Sequence, residues 1–246
     1  MGADQNLDWT KAAASALDWW HDAGVDVVVG DEGFAWLDSA AQQLAARQAA
    51  RPVAATVAAP AGDALPEDAA TFATWRIGEA APEARWGGGA IAASGPADAE
   101  LMVFVDCPER DDRELLMEGE VGRLFDRMLA AIGRSRADVA LASVCVRRPT
   151  TGRVPRDIEA RLGEIARHHV GLAAPKRLLV MGDAASRAIL TMNVADARGR
   201  FHTLNHKNGT ITQVVASHHP RFLLDRPTAK AEAWKDLLLL TGEVET

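Results

Sequence analysis

Residues 210–224, TITQVVASHHPRFLL, decide how the chain is read. An apolar, β-branched run enters, two histidines stand at its end, and Pro220 follows at once. Valine, isoleucine and threonine favour a pleated strand. Proline removes a ladder donor and stops it. Residues 210–217 therefore read as a strand, with His218 and His219 at its carboxyl end. Two readings of the pair stand side by side: a surface turn, or one imidazole held there to face something.

Working outward, similar apolar runs recur. ELMVFV (100–105), DVALASVCV (138–146) and KRLLVMG (176–182) read as buried strands. Between them, VGRLFDRMLAAIG (121–133), residues 155–173 opened by Pro155, and DAASRAILTM (183–192) read as helices, and residues 228–242 close the chain with another. Nearly all-apolar strands alternating with helices imply a parallel sheet covered on both faces. The expected fold is an α/β three-layer sandwich with a central, mostly parallel four-stranded sheet flanked by helices. In such sheets ligands bind beyond the carboxyl ends of the strands. The loops DCPERDD, RRPTTGRVP, GDAAS and HHPRFLL each follow a strand, so Asp106, the arginine loop and the histidine pair should converge on one edge.

The N-terminal part differs. Residues 1–37 form an expected helical segment, with Ala13, Leu17 and Trp20 at helical spacing and Gly24 as its stop. Residues 38–85 are rich in alanine and proline and read as a linker or arm. The α/β domain is expected over 86–246. GDEG at 30–33 reads as a turn, without the context of a phosphate loop.

No apolar run approaches the ~20 residues of a membrane-spanning helix. The N-terminus lacks a basic patch followed by an apolar core, so a cytoplasmic protein with no membrane partner is expected. The only cysteines, Cys107 and Cys145, are too few for a four-cysteine site, and the histidines form no metal-ligand spacing. The formal charge of −7 argues mildly against a nucleic-acid partner. Position matters more than the total, however, and RRPTTGRVPR gathers Arg147, Arg148, Arg153 and Arg156. Composition leaves a solvated loop and a phosphate-contacting loop equally open.

The strand-end loops resemble the uracil-DNA glycosylase superfamily, most closely its iron–sulfur, family-four branch. VDCPERDD stands where that branch has G-E-A-P-G and an acidic pair, and LLMEGEVGRLFDRML follows as its P-F-V-G element and helix. ASVCVRRPTTGRVP matches T-N-x-x-K-C-R-P-P-x-N-R-x-P, PKRLLVMGDAAS matches P-K-x-I-x-x-L-G-x-x-A, and HPRFLL matches H-P-S-x-L-L. The resemblance spans residues 15 to 242 and is weakest over 38–85. It implies excision of a base from single- or double-stranded DNA by hydrolysis of the N-glycosidic bond. Asp106 would hold water near the sugar and His219 would face the base oxygen. Cys107, Pro108, Met117 and Ser143 would surround the base. Arg148, Arg153, Pro220, Arg221 and Leu223 would contact DNA.

Departures from the pattern qualify this. Asp106 falls at the motif glutamate, and a one-residue gap would put Cys107 there instead. Met117 falls near a stacking phenylalanine, Ser143 at a base-reading asparagine, and Arg221 at a phosphate-contacting serine. Arg147 replaces a cluster cysteine and the other cluster cysteines are missing, so no cofactor is expected. The resemblance with these changes implies altered or weak base preference, or a non-catalytic homologue that binds nucleic acid or a protein.

Overall fold

The computed structural model describes residues 9–22, 64–206 and 209–242. The chain divides into two units, Met1–Ala58 and Ala59–Thr246. Of the first, helix α1 (Trp9–Asp22) is described, inside the expected helical segment 1–37. Gly24, the turn at 30–33 and residues 38–63 of the expected arm lie outside the described residues.

The second unit is built on a sheet of β1 (Leu101–Val105), β2 (Val139–Ser143), β3 (Arg177–Met181), β4 (Phe201–Asn205) and β5 (Ile211–Ser217), in the order β2-β1-β3-β5-β4. The four strands expected from the sequence are present and mutually parallel. The sheet has five strands rather than four, because β4 pairs antiparallel with β5 at the edge. Its sequence, FHTLN, alternates exposed and half-buried residues. An edge strand with one neighbour does not need the continuous apolar run that marks a central one.

The central strands are buried on both faces, and the pleat sends alternate residues to two cores. Met102, Phe104, Leu178, Val180, Val214 and Ala216 meet helices α4 (Arg156–Ala173) and α5 (Asp183–Leu190). Leu101, Val103, Val105, Leu179, Met181 and Val215 meet α3 (Gly119–Ala131), α7 (Pro220–Asp225) and α8 (Lys230–Thr241). A short helix, α6 (Val194–Ala197), precedes β4.

The stretch expected as an arm includes helix α2 (Ala69–Ile77), which is part of this unit's core. Asp68 caps it, accepting the Thr71 N–H at 2.8 Å. Phe72 is fully buried and packs against His168 and His169 of α4. Alanine-rich sequence hides this, since only Phe72 and Arg76 of the helix are buried.

Register sets the position of the site. Val105 pairs with Ser143 and Met181, and Met181 pairs with Ser217, so four parallel strands end in one row. The loops beginning at Asp106, Val144, Gly182 and His218 therefore leave from one edge. No helix among the described residues is long and apolar enough to cross a membrane.

Candidate active site

Asp106 is the first residue beyond β1. Its Oδ1 accepts the Ala185 N–H at 2.7 Å, in the first turn of α5, where backbone donors and the helix dipole favour an anion. Gly182 makes this approach possible. It has φ +103°, and a Cβ there would stand 2.6 Å from Asp106 Oδ2. The carboxylate thus leans over the end of β3, toward the β5 side. Burial pushes its pKa up to about 6, against the pull of the Ala185 N–H and Arg221. Oδ2 accepts no protein hydrogen bond among the described residues.

At the end of β5 the two histidines part company. His218 is bonded to Glu232 at 3.0 Å and stacks on Phe222. His219 is buried and caps α7: its Nδ1 accepts the Arg221 N–H at 3.2 Å, with Pro220 in the first turn. A neutral ring accepting at Nδ1 carries its proton on Nε2. Burial, helped by the Arg221 and Arg148 guanidiniums, lowers the His219 pKa to about 3, so the ring is neutral at ordinary pH. The Nε2–H is buried and has no hydrogen-bond partner among the described residues. Leaving such a donor unmet costs roughly 1–3 kcal/mol.

The group beside that donor was not singled out in the sequence. Glu109 Oε1 lies 3.7 Å from His219 Nε2, too far for a hydrogen bond. Arg221 Nη1 holds both Glu109 oxygens, at 2.7 and 2.8 Å, and Arg148 Nη1 is 3.7 Å from Oε2. Glu109, Pro108 and Arg148 also line an open cleft of about 620 Å³, together with Gly87–Gly89 and Thr150–Gly152. The loop carrying Glu109 is fastened by Asp112, whose carboxylate accepts the N–H groups of Glu109, Met117 and Glu118. The signal for Glu109 was its place three residues beyond a strand-end aspartate, and only the pairing with Arg221, 112 residues away, distinguishes it from its acidic neighbours.

The other expected residues are placed as follows. Pro108 is buried and its carbonyl accepts from Arg148 at 2.6 Å. Cys107 is buried, and burial pushes its thiol up to about 12, so of the two candidates for the motif acid only Asp106 carries charge. Ser143 is buried and its hydroxyl donates to Cys145 O at 2.7 Å. Met117 has φ 60° and lies fully buried in the core beneath α3. Arg153 is exposed. Leu223, expected at DNA, is instead 1% exposed within the core; from α7 it is Phe222 and Leu224 that reach the surface.

A four-thiolate cluster does not fit these residues. The chain has two cysteines, both buried, and burial raises both thiols away from the thiolate form. The segment after β2 is tied by a different device. Arg76 and Glu83 form a buried ion pair at 2.6 Å. Arg76 donates to Val144 O at 2.6 Å and Glu83 accepts the Val146 N–H at 3.0 Å. Trp75 and Trp86 are half-buried against the same core.

A carboxylate of near-neutral pKa, a neutral imidazole with an unmet donor, and arginines beside a cleft can together handle an anion leaving a sugar. Comparison with known proteins places the chain in a family. Residues 92–238 match the family model described as the uracil DNA glycosylase superfamily. Over 163 residues the chain is 23% identical to a Type-4 uracil-DNA glycosylase of Pyrobaculum aerophilum, covering 62% of this chain and 82% of that protein.

Proposed function

The chain belongs to the uracil DNA glycosylase superfamily, and from that premise we propose that it is a cytoplasmic DNA base-excision enzyme with altered or weak base preference, working without an iron–sulfur cluster. The observation that carries this reading is the buried, unpartnered Nε2–H of His219. Excision extrudes the base and breaks its bond to the sugar. The electron pair of the C1′–N bond leaves with the base. His219 Nε2–H donates to a base oxygen as that charge grows, and because the ring is neutral it stabilises the anion without giving up its proton. Asp106 holds a water at the sugar carbon and takes its proton as the new C–O bond forms. A pKa of about 6 leaves it mostly ionised at pH 7 yet basic enough to accept.

Changed base preference is supported by Ser143, whose hydroxyl donates to its own loop, and by Met117, which is enclosed in the core. The same two placements favour a second reading, a homologue that binds nucleic acid or a protein without cleaving. Arg148, Arg153 and Arg221, with Phe222 and Leu224 exposed nearby, are the proposed DNA contacts.

A cleavage assay separates the readings. Single- and double-stranded oligonucleotides carrying uracil, hypoxanthine or xanthine are incubated with protein in excess. An abasic product on at least one, lost in Asp106→Asn, is expected. Salt-sensitive DNA binding with no product on any of them would sink the enzymatic reading and leave the binding one.

A further inference from the structure

We infer that Glu109 and His219 together read a lactam edge, –NH–C(=O)–, on the extruded base, making Glu109 the residue that sets which bases the site accepts. The ligand class rests on the base-excision reading above; the pairing itself stands on geometry.

Glu109 Oε1 and His219 Nε2 lie side by side, 3.7 Å apart, from the loops after β1 and β5. One is an acceptor; the other is a donor fixed by the hydrogen bond at Nδ1. Neither is paired with the other, and the His219 donor is buried and unmet. A lactam presents its oxygen and its N–H about 2.2 Å apart, from ordinary amide bond lengths. Two hydrogen bonds of about 2.9 Å, diverging slightly, span the 3.7 Å between the protein atoms. The lactam oxygen accepts a hydrogen bond from the His219 Nε2–H and the lactam N–H donates to Glu109.

The same pair rejects an amidine edge. Adenine would set an amino N–H against the His219 N–H and a ring-nitrogen lone pair against the carboxylate. Cytosine could turn its O2 to His219, but its N3 lone pair would still face the carboxylate. Each such contact repels and leaves polar groups unmet. Glu109 is held for this task. Arg221 grips both oxygens and Arg148 flanks one of them. These guanidiniums also offset the repulsion between Glu109 and negative charge on the departing base. Glu109 lines the cleft of about 620 Å³ and stands 3.7 Å from the buried His219 donor. Ser143 does not compete for the role, because its single donor is spent on Cys145 O.

The test uses small bases and the intact chain. 1-Methyluracil keeps the N3–H, with its methyl in place of the sugar. 1,3-Dimethyluracil lacks that hydrogen, and 1-methylcytosine carries the amidine edge. Binding is followed by NMR at the His219 ring nitrogens. 1-Methyluracil should bind at least about tenfold tighter than the other two and shift the Nε2 signal. In Glu109→Ala the advantage should shrink to about twofold or less. In Glu109→Gln, whose amide oxygen can still accept, part of it should return. Equal affinities in the wild-type protein, no binding of 1-methyluracil, or an advantage that survives Glu109→Ala would each overturn the assignment. The wild-type comparison decides even if a variant fails to fold. Lactam-selective binding without cleavage of any lesion would remove the enzymatic reading and leave Glu109 assigned; cleavage without lactam preference would do the reverse.

Discussion

Replacing Asp106 by asparagine should make the protein more stable near neutral pH while stopping catalysis. Burial raises this carboxyl from 3.8 to about 6 in the folded chain. A shift of roughly 2 units separates the two protonation states by ~3 kcal/mol. Asp106 is only half-buried and solvent screens part of that, so ~2 kcal/mol is the working figure. The sign follows from proton binding. Below pH 3.8 both folded and unfolded states are protonated and the group contributes nothing. Between 3.8 and about 6 the unfolded chain ionises first, so stability falls as pH rises. Above about 6 the penalty is complete. Asparagine keeps an acceptor for the Ala185 N–H and stays neutral at every pH, so it escapes the penalty. Urea unfolding of both proteins from pH 4 to pH 8 should show equal stability at the acid end. A gap of ~2 kcal/mol should open toward pH 7, equivalent to a Tm rise of about 4–8 °C for a domain of this size. A gap that does not change with pH, or a variant less stable at pH 7.5, would refute the account of Asp106 as a carboxylate held at a cost.

Three further outcomes are expected. The rate of base release in wild-type protein should rise to a plateau with an apparent pKa near 6, and His219→Gln should lower the plateau by about 10²-fold without moving that midpoint, read in single-turnover assays across pH. Gly182→Ala should cost at least ~2 kcal/mol in chemical denaturation, because its Cβ would stand 2.6 Å from the Asp106 carboxylate at φ +103°. Arg76→Met should destabilise by ~3–5 kcal/mol, leaving Glu83 buried and unpaired, whereas the double change Arg76→Met with Glu83→Leu should recover most of the loss in the same assay.

The sheet was readable because its central strands are buried on both sides. LMVFV and RLLVM carry no polar interruption, and such runs allow few other placements. β4 escaped because FHTLN is an edge strand whose residues alternate. Helix α2 escaped because its alanines resemble linker and only Phe72 and Arg76 are buried in it. At the site, Asp106 and His219 stand at the ends of legible strands. Glu109 does not, and what distinguishes it is the pairing with Arg221, a contact between loops 112 residues apart. Periodicity carries no information about such pairs. Leu223 and Leu224 show the same limit on a smaller scale: adjacent leucines on a six-residue helix, and only the packing says that the first is core and the second is surface.

Energetics mark a site at this edge. Folding rewards satisfied polar groups and ordinary pKa values, and departures cost stability. Asp106 is held ionised against burial, and His219 is held neutral with its donor unmet. Both lie past the ends of parallel strands, and Arg221 acts on both, lowering each pKa. Arg76 Nη1 and Glu83 Oε2 are also buried and unpartnered, but that pair has a structural return in the bonds it makes to Val144 and Val146. Asp106 and His219 spend one atom each on a helix N-terminus and leave the other without a protein hydrogen bond among the described residues. A purely structural capping role would be met as well by asparagine at either position, without the penalty of a buried charge or a desolvated imidazole. What asparagine cannot supply is a base of near-neutral pKa and a fixed aromatic donor, the two properties that the proposed hydrolysis of a glycosidic bond would use.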